Sequence, residues 1–255
     1  MASRNGLNPK IRGQKGIGFN RALPAPFGFG NGIFLNSGTL SIPRMSDGTF
    51  IQKIPFSVEF WVRCNVGPTN GLYWVWFSMR KGTAPIYDHE LSINSGLGLR
   101  TTESSYRGGV DITFDGSKQH CVWAVDAEGN CSTYFNGVFR SVAPGQLTPY
   151  YPTDVHLNFR NDIQAIDEFR YYSSALRKDQ VEANFNSGLG NNPCVTESLE
   201  SWYTFEKFES LDFSSEQDGS NMQVGIRDYS NKNRHAIATD ADTNPVSPTY
   251  SLKPF

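Results

Sequence analysis

Carboxylates at alternate positions of one strand could do hydrolytic chemistry, because alternate side chains face the same substrate. A glycosidase uses such carboxylates as its acid and as its base or nucleophile. The nearest pattern is Glu216-Gln-Asp218-Gly-Ser220, in which a serine stands in the place of a third acid. The adjacent pair Asp167 and Glu168 lies in a predicted strand, so its two side chains are expected on opposite faces. The sequence therefore predicts a protein that is not an enzyme.

The patterns that could bind a metal or a cofactor are incomplete. Asp240-Ala-Asp242-Thr-Asn244 matches the first half of a calcium loop, but Pro245 replaces the required glycine and no bidentate glutamate follows. The sequence lacks Gly-x-Ser-x-Gly, Walker and Cys-x-x-Cys motifs, which argues against hydrolase, nucleotide and zinc sites of those types. No cofactor is predicted. The histidines have no ligand spacing and are expected to bind no metal; they are His89, His120, His156 and His235.

Cysteine pairing is limited by a predicted hairpin whose loop covers residues 126–129. With a four-residue loop, Cys121 faces Tyr134 and Cys131 faces Ala124. Cys121 and Cys131 are then too far apart to form a disulfide. The other cysteines are Cys64, which continues an apolar alternation and is expected to be buried, and Cys194.

Charge is distributed unevenly along the chain. The net charge is −2, yet residues 1–46 contain six basic residues and no acid, which leaves −8 for the rest. A basic, Gly- and Pro-rich arm over residues 1–29 predicts docking to an acidic partner surface, and a solvated tail is the alternative. The basic residues lack interleaved aromatics, which argues against nucleic acid as the partner. The residues expected to contact the partner are Arg4, Lys10, Arg12, Lys15, Arg21, Phe27 and Phe29.

The sequence has no recognisable export or membrane segment. Residues 1–10 lack the apolar core of a signal peptide, and no apolar run approaches the length of a membrane span. We therefore expect no membrane association. Assembly into a virus particle that is released by lysis is one way for such a chain to leave a cell.

Strand patterns dominate the sequence. Aromatic residues make up 13% of it, with 24 glycines and 14 prolines, which is the profile of an all-β protein with many turns. Phe56–Cys64 alternates with a period of two and is predicted to be a central strand. One short helix is predicted near residues 177–187, after the strand that ends at Tyr172 and with Gly188 as its cap. The acid-rich segment 206–218 is predicted to be a solvated loop.

Four segments carry one pattern in a fixed order along the chain. They are Phe56-Ser-Val-Glu-Phe-Trp-Val62, Gln119-His-Cys-Val-Trp-Ala124, Thr133-Tyr-Phe-Asn-Gly137, and Ile166-Asp-Glu-Phe-Arg-Tyr-Tyr172 followed by Ala175-Leu176. In this order they resemble laminin G-like domains, the concanavalin A-like jelly-roll sandwiches. The resemblance implies an all-β jelly-roll sandwich over residues 30–255 and a tendency to bind glycans or proteins. It names no ligand.

The end of the chain departs from the family order. Trp202-Tyr-Thr-Phe205 and the turn over residues 228–236 resemble segments that normally open the domain. Either residues 199–255 fold back to complete the sandwich, on this chain or on a neighbouring copy in a homo-oligomer, or they begin a second copy. So short a segment rarely makes a sandwich alone, so we expect it to fold back.

The resemblance also implies two kinds of rim site. Laminin G-like domains sometimes hold calcium at rim loops, and solvated turn acids are the alternative explanation for the same residues. Tyrosines in loop-like segments could stack on sugar rings, although ordinary packing also accounts for them. The calcium candidates are Asp111, Asp115, Asp162 and Asp167, and the glycan candidates are Tyr87, Tyr106, Tyr150 and Tyr151.

Two hypotheses for function follow. The first is a non-enzymatic structural protein of a bacteriophage virion, such as a capsid decoration, head-fibre or tail-associated protein, which the arm anchors to other virion proteins. The second is a free carbohydrate-binding module or adhesin in which the arm is incidental. Both use the same lectin-like sandwich.

Overall fold

The computed structural model describes twelve stretches of the chain. The stretches are 28–35, 37–42, 54–64, 74–80, 87–94, 96–101, 106–110, 115–143, 154–160, 164–211, 223–239 and 250–255.

Strands make up most of the described chain. They are β1 (Asn31–Leu35), β2 (Ser37–Ile42), β3 (Phe56–Cys64), β4 (Trp74–Arg80), β5 (Tyr87–Asn94), β6 (Gly96–Thr101), β7 (Tyr106–Val110), β8 (Lys118–Val125), β9 (Cys131–Phe135), β10 (Val138–Ala143), β11 (Asp154–Arg160), β12 (Gln164–Tyr172), β13 (Leu199–Tyr203), β14 (Glu209–Leu211), β15 (Gln223–Ile226), β16 (Ala236–Thr239) and β17 (Tyr250–Pro254). A short helix, α1 (Lys178–Phe185), follows β12.

The strands form two antiparallel sheets. Sheet A has the order β10-β9-β8-β3-β12-β1-β17, with β13 also paired to β12. Sheet B has the order β14-β15-β16-β2-β11-β4-β5-β6-β7. The predicted central position of Phe56–Cys64 is therefore correct, because β3 lies between β8 and β12.

The inner face of sheet A is built from aromatic rings. Across four neighbouring strands the rings of Trp123, Phe60, Phe169 and Tyr203 stack in sequence, with centroids 5.8, 6.4 and 6.1 Å apart. All four side chains are buried. Cross-strand aromatic pairs of this kind stabilise a sheet beyond the apolar area that they bury.

The outer face of sheet A is also buried at its centre, where helix α1 and the segment after it cover the sheet. Val181 of α1 packs with Val122, Tyr172 and Trp202. As a result, every residue from Phe56 to Val62 is buried, although the strand alternates in sequence.

Sheet B instead separates polar from apolar residues. In β11, Asp154, His156 and Asn158 alternate with Val155 and Leu157. Between β11 and β2 the register pairs apolar with apolar and polar with polar residues, as in Leu157↔Leu40 and His156↔Ser41. The alternation is typical of a sheet with one face in the core and one face toward solvent.

The segment after residue 199 pairs with strands from earlier in the same chain. β13 pairs with β12, β17 pairs with β1, and β16 pairs with β2. Asp228 holds the turn before β16, since its carboxylate accepts hydrogen bonds from the backbone N–H groups of Trp202, Ser230 and Arg234.

Several local predictions are wrong. The first hairpin loop covers residues 126–130, because Val125 pairs with Cys131, and Cys121 faces Phe135. The loop has five residues and not the predicted four. Asp126 stabilises the longer loop, since its Oδ1 accepts hydrogen bonds from the backbone N–H groups of Glu128 and Asn130. Cys121, Cys131 and Cys194 are not joined in disulfides; Cys121 and Cys131 are buried, and Cys194 is exposed.

The helix and the acid-rich segment also differ from the prediction. Helix α1 ends with Asn186 in the left-handed region, where asparagine is tolerated, and Gly188 lies in the short turn that follows. The segment 206–218 is not simply a loop, because Glu209–Leu211 forms β14 and Glu206 hydrogen-bonds to Asn31.

Candidate functional site: a buried charge network and a polar sheet face

The densest group of charged side chains lies beneath α1 and is centred on Glu59. Its Oε1 lies 2.7 Å from Nε2 of His120 and 3.4 Å from Nη1 of Arg170. Its Oε2 accepts hydrogen bonds from the Tyr172 hydroxyl at 2.8 Å and from Nδ2 of Asn184 at 2.9 Å. The network therefore ties β3, β8 and β12 to the helix.

Arg170 connects this network to a second carboxylate. Its Nη2 donates to Oε2 of Glu168 at 3.2 Å and to the backbone oxygen of Asn191. The indole N–H of Trp202 donates to the same Oε2 at 2.6 Å. Glu168 has φ = +52° and lies in a β-bulge, because Asp167 pairs with Trp61 and Arg170 pairs with Glu59. The bulge breaks the alternation that predicted opposite faces for Asp167 and Glu168.

The groups of this network resemble catalytic residues, but they are sealed from solvent. Glu59, His120, Glu168 and Arg170 are all fully buried. Burial opposes ionisation of Glu59, but the charge of Arg170 and hydrogen bonds from His120 and Tyr172 outweigh it and lower the Glu59 pKa to about 2. A buried ion network without access to substrate fixes the positions of strands and helix.

A second row of buried residues lies beside the Glu59 network on the outer face of sheet A. Asp167, Trp61 and His120 are consecutive cross-strand neighbours on β12, β3 and β8. Phe29 covers the row with its ring 4.7 Å from that of Trp61, and Phe185 stacks on Trp61 at 5.7 Å. Burial and the neighbouring charge of Glu168 raise the Asp167 pKa to about 9, so this carboxyl group is protonated at neutral pH.

The polar face of sheet B is the second candidate and differs in kind. Register aligns one polar residue from each of six neighbouring strands into a polar row. The row consists of Ser41, His156, Ser78, Glu90, Arg100 and Tyr106. Donors, acceptors and an aromatic residue therefore lie at neighbouring register positions across the sheet.

The opposite side of sheet B is the core side. Leu91 pairs with Phe77 on one neighbouring strand and with Leu99 on the other. Ala236 and Ile226 also pair and are buried. Because Ile237 pairs with Ser41 of the polar row, the neighbouring Ala236 belongs to the other side.

Glycines lie beside the polar row. Gly98 of β6 pairs with Ser92 on one side and with Gly109 on the other. Gly98 lies two residues from Arg100, so the two share a face. A glycine pair in a strand leaves bare backbone, which often marks a place where a ligand or another chain approaches closely.

Exposed apolar side chains occur on β10, the first strand in the order of sheet A. Val138, Phe139 and Val142 are exposed, Val138 and Val142 by 54% each. A register shift interrupts the pairing with β9 between Phe139 and Ser141. Such a bulge reduces the ability of an edge strand to pair with another chain.

The predicted glycan and partner residues are placed as follows. Tyr87 and Tyr106 begin β5 and β7, so the prediction that they lie in loops is wrong. Phe29 packs on Trp61 and Phe255, and the Lys118 ammonium lies 4.2 Å from its ring centre. The other candidates lie outside the described residues; they are Tyr150, Tyr151, Arg4, Lys10, Arg12, Lys15, Arg21 and Phe27.

The calcium candidates are not gathered in the part of the chain that the structure describes. Asp115 is exposed and accepts a hydrogen bond from the backbone N–H of Ser117, as in a turn, whereas Asp167 is buried in β12. No group of three or more His, Cys, Asp or Glu side chains there could hold a metal ion. Asp111 and Asp162 lie outside the described residues, and calcium binding stays a prediction.

No helix in the described stretches has the length and apolar character needed to cross a membrane.

Comparisons with known proteins identify the fold. A Bacteroides ovatus protein proposed to bind carbohydrate aligns over 89% of this chain and 60% of its own, at 14% identity and a TM-score of 0.57. The binding domain of botulinum neurotoxin DC in complex with rat synaptotagmin II aligns over 54% of this chain and 36% of its own, at 18% identity and a TM-score of 0.43. The same toxin domain in complex with SialylT aligns over 63% and 47%, at 15% identity and 0.44.

The likeness to the Bacteroides protein confirms the predicted all-β sandwich. No protein-family model and no curated protein matches the sequence. This chain spans between about a third and three fifths of the length of the solved chains that it resembles. The finer assignment to laminin G-like domains stays a prediction.

Proposed function

We propose that this chain is a non-enzymatic recognition domain that binds a glycan on the polar face of sheet B. The observation that carries the proposal is the polar row, which places His156, Glu90 and Arg100 at aligned positions of neighbouring strands. Sheet A has no comparable surface in its described centre, because both of its faces are buried there. The recognition surface of the sandwich is therefore assigned to sheet B.

The chemistry of the polar row suits a sugar. Sugar hydroxyls both donate and accept hydrogen bonds, so they match a surface that mixes carboxylate, guanidinium and hydroxyl groups. Aromatic residues such as Tyr106 offer an apolar ring with a polar tip for the sugar ring. The structural likeness to a protein proposed to bind carbohydrate supports this ligand class.

The test is a glycan array followed by isothermal titration calorimetry of the hits with the full chain. Arg100→Ala should lower the affinity at least about tenfold, as expected when a buried hydrogen-bonding group of a complex is removed. Arg177→Ala is the matched control, because Arg177 is exposed beside α1 and distant in the fold from sheet B. Binding that both variants weaken equally, or turnover of the bound glycan, would contradict the proposal.

The arm gives the chain a second proposed role, attachment to a larger assembly. Six basic residues without an acid in residues 1–46 suit an acidic partner surface. Phe29 is held between Trp61 and Phe255, and Gly30 accepts a hydrogen bond from the backbone N–H of Phe255. The point at which the arm joins the sandwich is thus fixed on sheet A.

The finer form of this role is the virion hypothesis, in which the assembly is a bacteriophage particle and the partners are other virion proteins. Mass spectrometry of purified particles should find the chain at a fixed ratio to the shell protein. Deletion of residues 1–27, which leaves Phe29 in place, should abolish incorporation but leave glycan binding unchanged. Unchanged incorporation of the shortened chain would rule out anchoring by the arm.

A further inference from the structure

We propose that the polar face of sheet B contains two subsites for one uncharged oligosaccharide chain; this inference rests on the proposed function. Two triplets with the same order of residue types, acid, arginine and tyrosine, cross this face on successive strands. One triplet is Glu90, Arg100 and Tyr106 on β5, β6 and β7. The other is Asp154, Arg80 and Tyr87 on β11, β4 and β5.

The two triplets lie on the same face of the sheet. Glu90 pairs with Ser78 of β4, and Arg80 lies two residues farther along β4. Residues two apart in a strand share a face, so Arg80 lies on the side of the polar row. Neighbouring strands lie about 5 Å apart, so Arg80 and Arg100 are separated by about 10 Å across the strands and about 7 Å along them. Rings of one extended oligosaccharide can contact both positions.

A register shift lies next to each triplet. One occurs between Met79 and Arg80 opposite β5, and the other occurs between Gly98 and Leu99 opposite β7. Bulges redirect the neighbouring side chains and are over-represented next to functional sites. Both triplets therefore lie beside an irregular position of the sheet, and a further shift lies between Val75 and Phe77 of β4.

The glycine pair makes the two subsites unequal. Gly98 and Gly109 pair beside the first triplet and place no side chain there. In the described register the Tyr87 triplet has no such pair beside it, since the same-face residues two positions from Arg80 and Asp154 are Ser78 and His156. We therefore assign the tighter subsite to the Tyr106 triplet and the extension subsite to the Tyr87 triplet.

Charge selects an uncharged ligand. Each triplet contains one acid and one arginine, so its formal charge is zero. A vicinal diol can accept from the guanidinium and donate to the carboxylate at the same time. A polyanionic glycan would be repelled by Glu90 and Asp154 as well as attracted by the two arginines, so the triplets offer it no net electrostatic attraction.

The experiment measures affinity against chain length by calorimetry. The probes are cello-, laminari- and malto-oligosaccharides from monosaccharide to hexasaccharide, with heparin and polysialic acid as acidic comparisons. The affinity of the wild type should rise about tenfold or more at the length that reaches the second subsite, because two linked contacts reinforce each other. The acidic polymers should bind more weakly than the neutral series at equal salt.

Tyrosine variants show which triplet causes the rise of affinity with oligosaccharide length. Tyr87→Ala should remove the gain with length and leave the binding of short sugars unchanged, whereas Tyr106→Ala should weaken every length about tenfold. Tyr106→Phe keeps the ring and should keep most of the affinity, which separates lost stacking from misfolding. Phe139→Ala is the matched aromatic control, because Phe139 is exposed on β10 of sheet A.

The outcomes separate the two levels of the proposal. Binding without length dependence, tighter binding of the acidic polymers, or tyrosine variants that behave like Phe139→Ala would overturn the two subsites and leave the proposed function intact. Absence of binding to any glycan would overturn the proposed function and the subsites with it.

Discussion

The two sheets of this sandwich contain similar charged residues but use them in opposite ways. In sheet A the carboxylate of Glu59 is buried and bound by His120, Arg170 and Tyr172. In sheet B the glutamate of the polar row, Glu90, lies by register on the face opposite the core. A glutamate at an alternating strand position can therefore serve the scaffold or the surface, depending on what covers its face of the sheet.

The covering element makes the difference. Once α1 packs on sheet A, a charge on its outer face loses water and persists only if protein groups replace that water. The partners of Glu59 provide this replacement and connect three strands to Asn184 of the helix. The polar residues of sheet B are instead aligned by register on the face opposite its core side, and no helix of the described stretches is paired with them in this way.

The contrast between the two sheets predicts its largest effect on stability for glutamine substitutions of Glu59 and Glu90. Glu59→Gln leaves the fully buried Arg170 with a weakened set of partners and should cost about 3 kcal/mol in the free energy of unfolding. Glu90→Gln should change it by less than about 0.5 kcal/mol, because isolated surface substitutions have small effects. Urea unfolding of both variants at pH 7 checks the pair. Equal losses would remove the contrast between the sheets.

The pH dependence of stability in acid tests the role of Glu59 in a second way. The folded-state pKa of Glu59 is lowered to about 2 from 4.5. Its contribution to stability is present above pH 4.5 and is lost as the pH falls toward 2. The wild type should therefore lose stability in this window by an increment that Glu59→Gln does not show.

Asp167 predicts a pH dependence of the opposite sign. Its pKa is raised from 3.8 to about 9, so the folded state holds a proton that the unfolded state has lost between these pH values. Stability should therefore fall as the pH rises through this range and level off above about 9. Asp167→Asn removes this penalty and keeps the Oδ1 that accepts the hydrogen bond from Glu168 N. We expect a gain of at least about 2 kcal/mol at pH 8, because each pH unit between the unfolded and folded pKa values is worth about 1.4 kcal/mol.

Asp115→Asn is the matched control for this prediction. Asp115 is exposed, so its substitution should leave the slope of stability against pH unchanged. Unfolding free energies measured from pH 5 to pH 9 compare the three proteins. An Asp167→Asn variant that is less stable than the wild type at pH 8 would show that Asp167 is ionised in the folded state.

Sequence reasoning predicted the architecture and missed the interior of sheet A. The period of two in Phe56–Cys64 and the pattern around Tyr172 correctly predicted two strands and the short helix that follows the second. The same period separates Glu59 from the face of Phe56 and Phe60, but it does not show that the face of Glu59 is buried as well. Periodicity reports which residues share a face but not whether a distant element covers that face.

The site residues show a similar limit. Tyr87 and Tyr106 were predicted as glycan contacts in loops, yet they lie at strand ends opposite Arg80 and Arg100. Their alignment depends on registers that include bulges, and no local pattern encodes a bulge. The alternation in β11 was the one signal in the sequence that could have located the polar face, because its apolar and polar residues separate cleanly.

The smallest effect tests how the helix seals sheet A. Gly137 has φ = +75°, and a Cβ there would lie 2.5 Å from the Phe185 ring, whereas a Cβ on Gly188, at φ = +90°, would lie 3.8 Å from the same ring. Both alanine substitutions incur backbone strain of about 1 kcal/mol, but only Gly137→Ala also pushes Phe185 away from Trp61 and His120. Gly137→Ala should therefore cost about 1 kcal/mol more than Gly188→Ala in urea unfolding. Equal costs would mean that Phe185 can move without loss and that α1 does not seal this face through its ring.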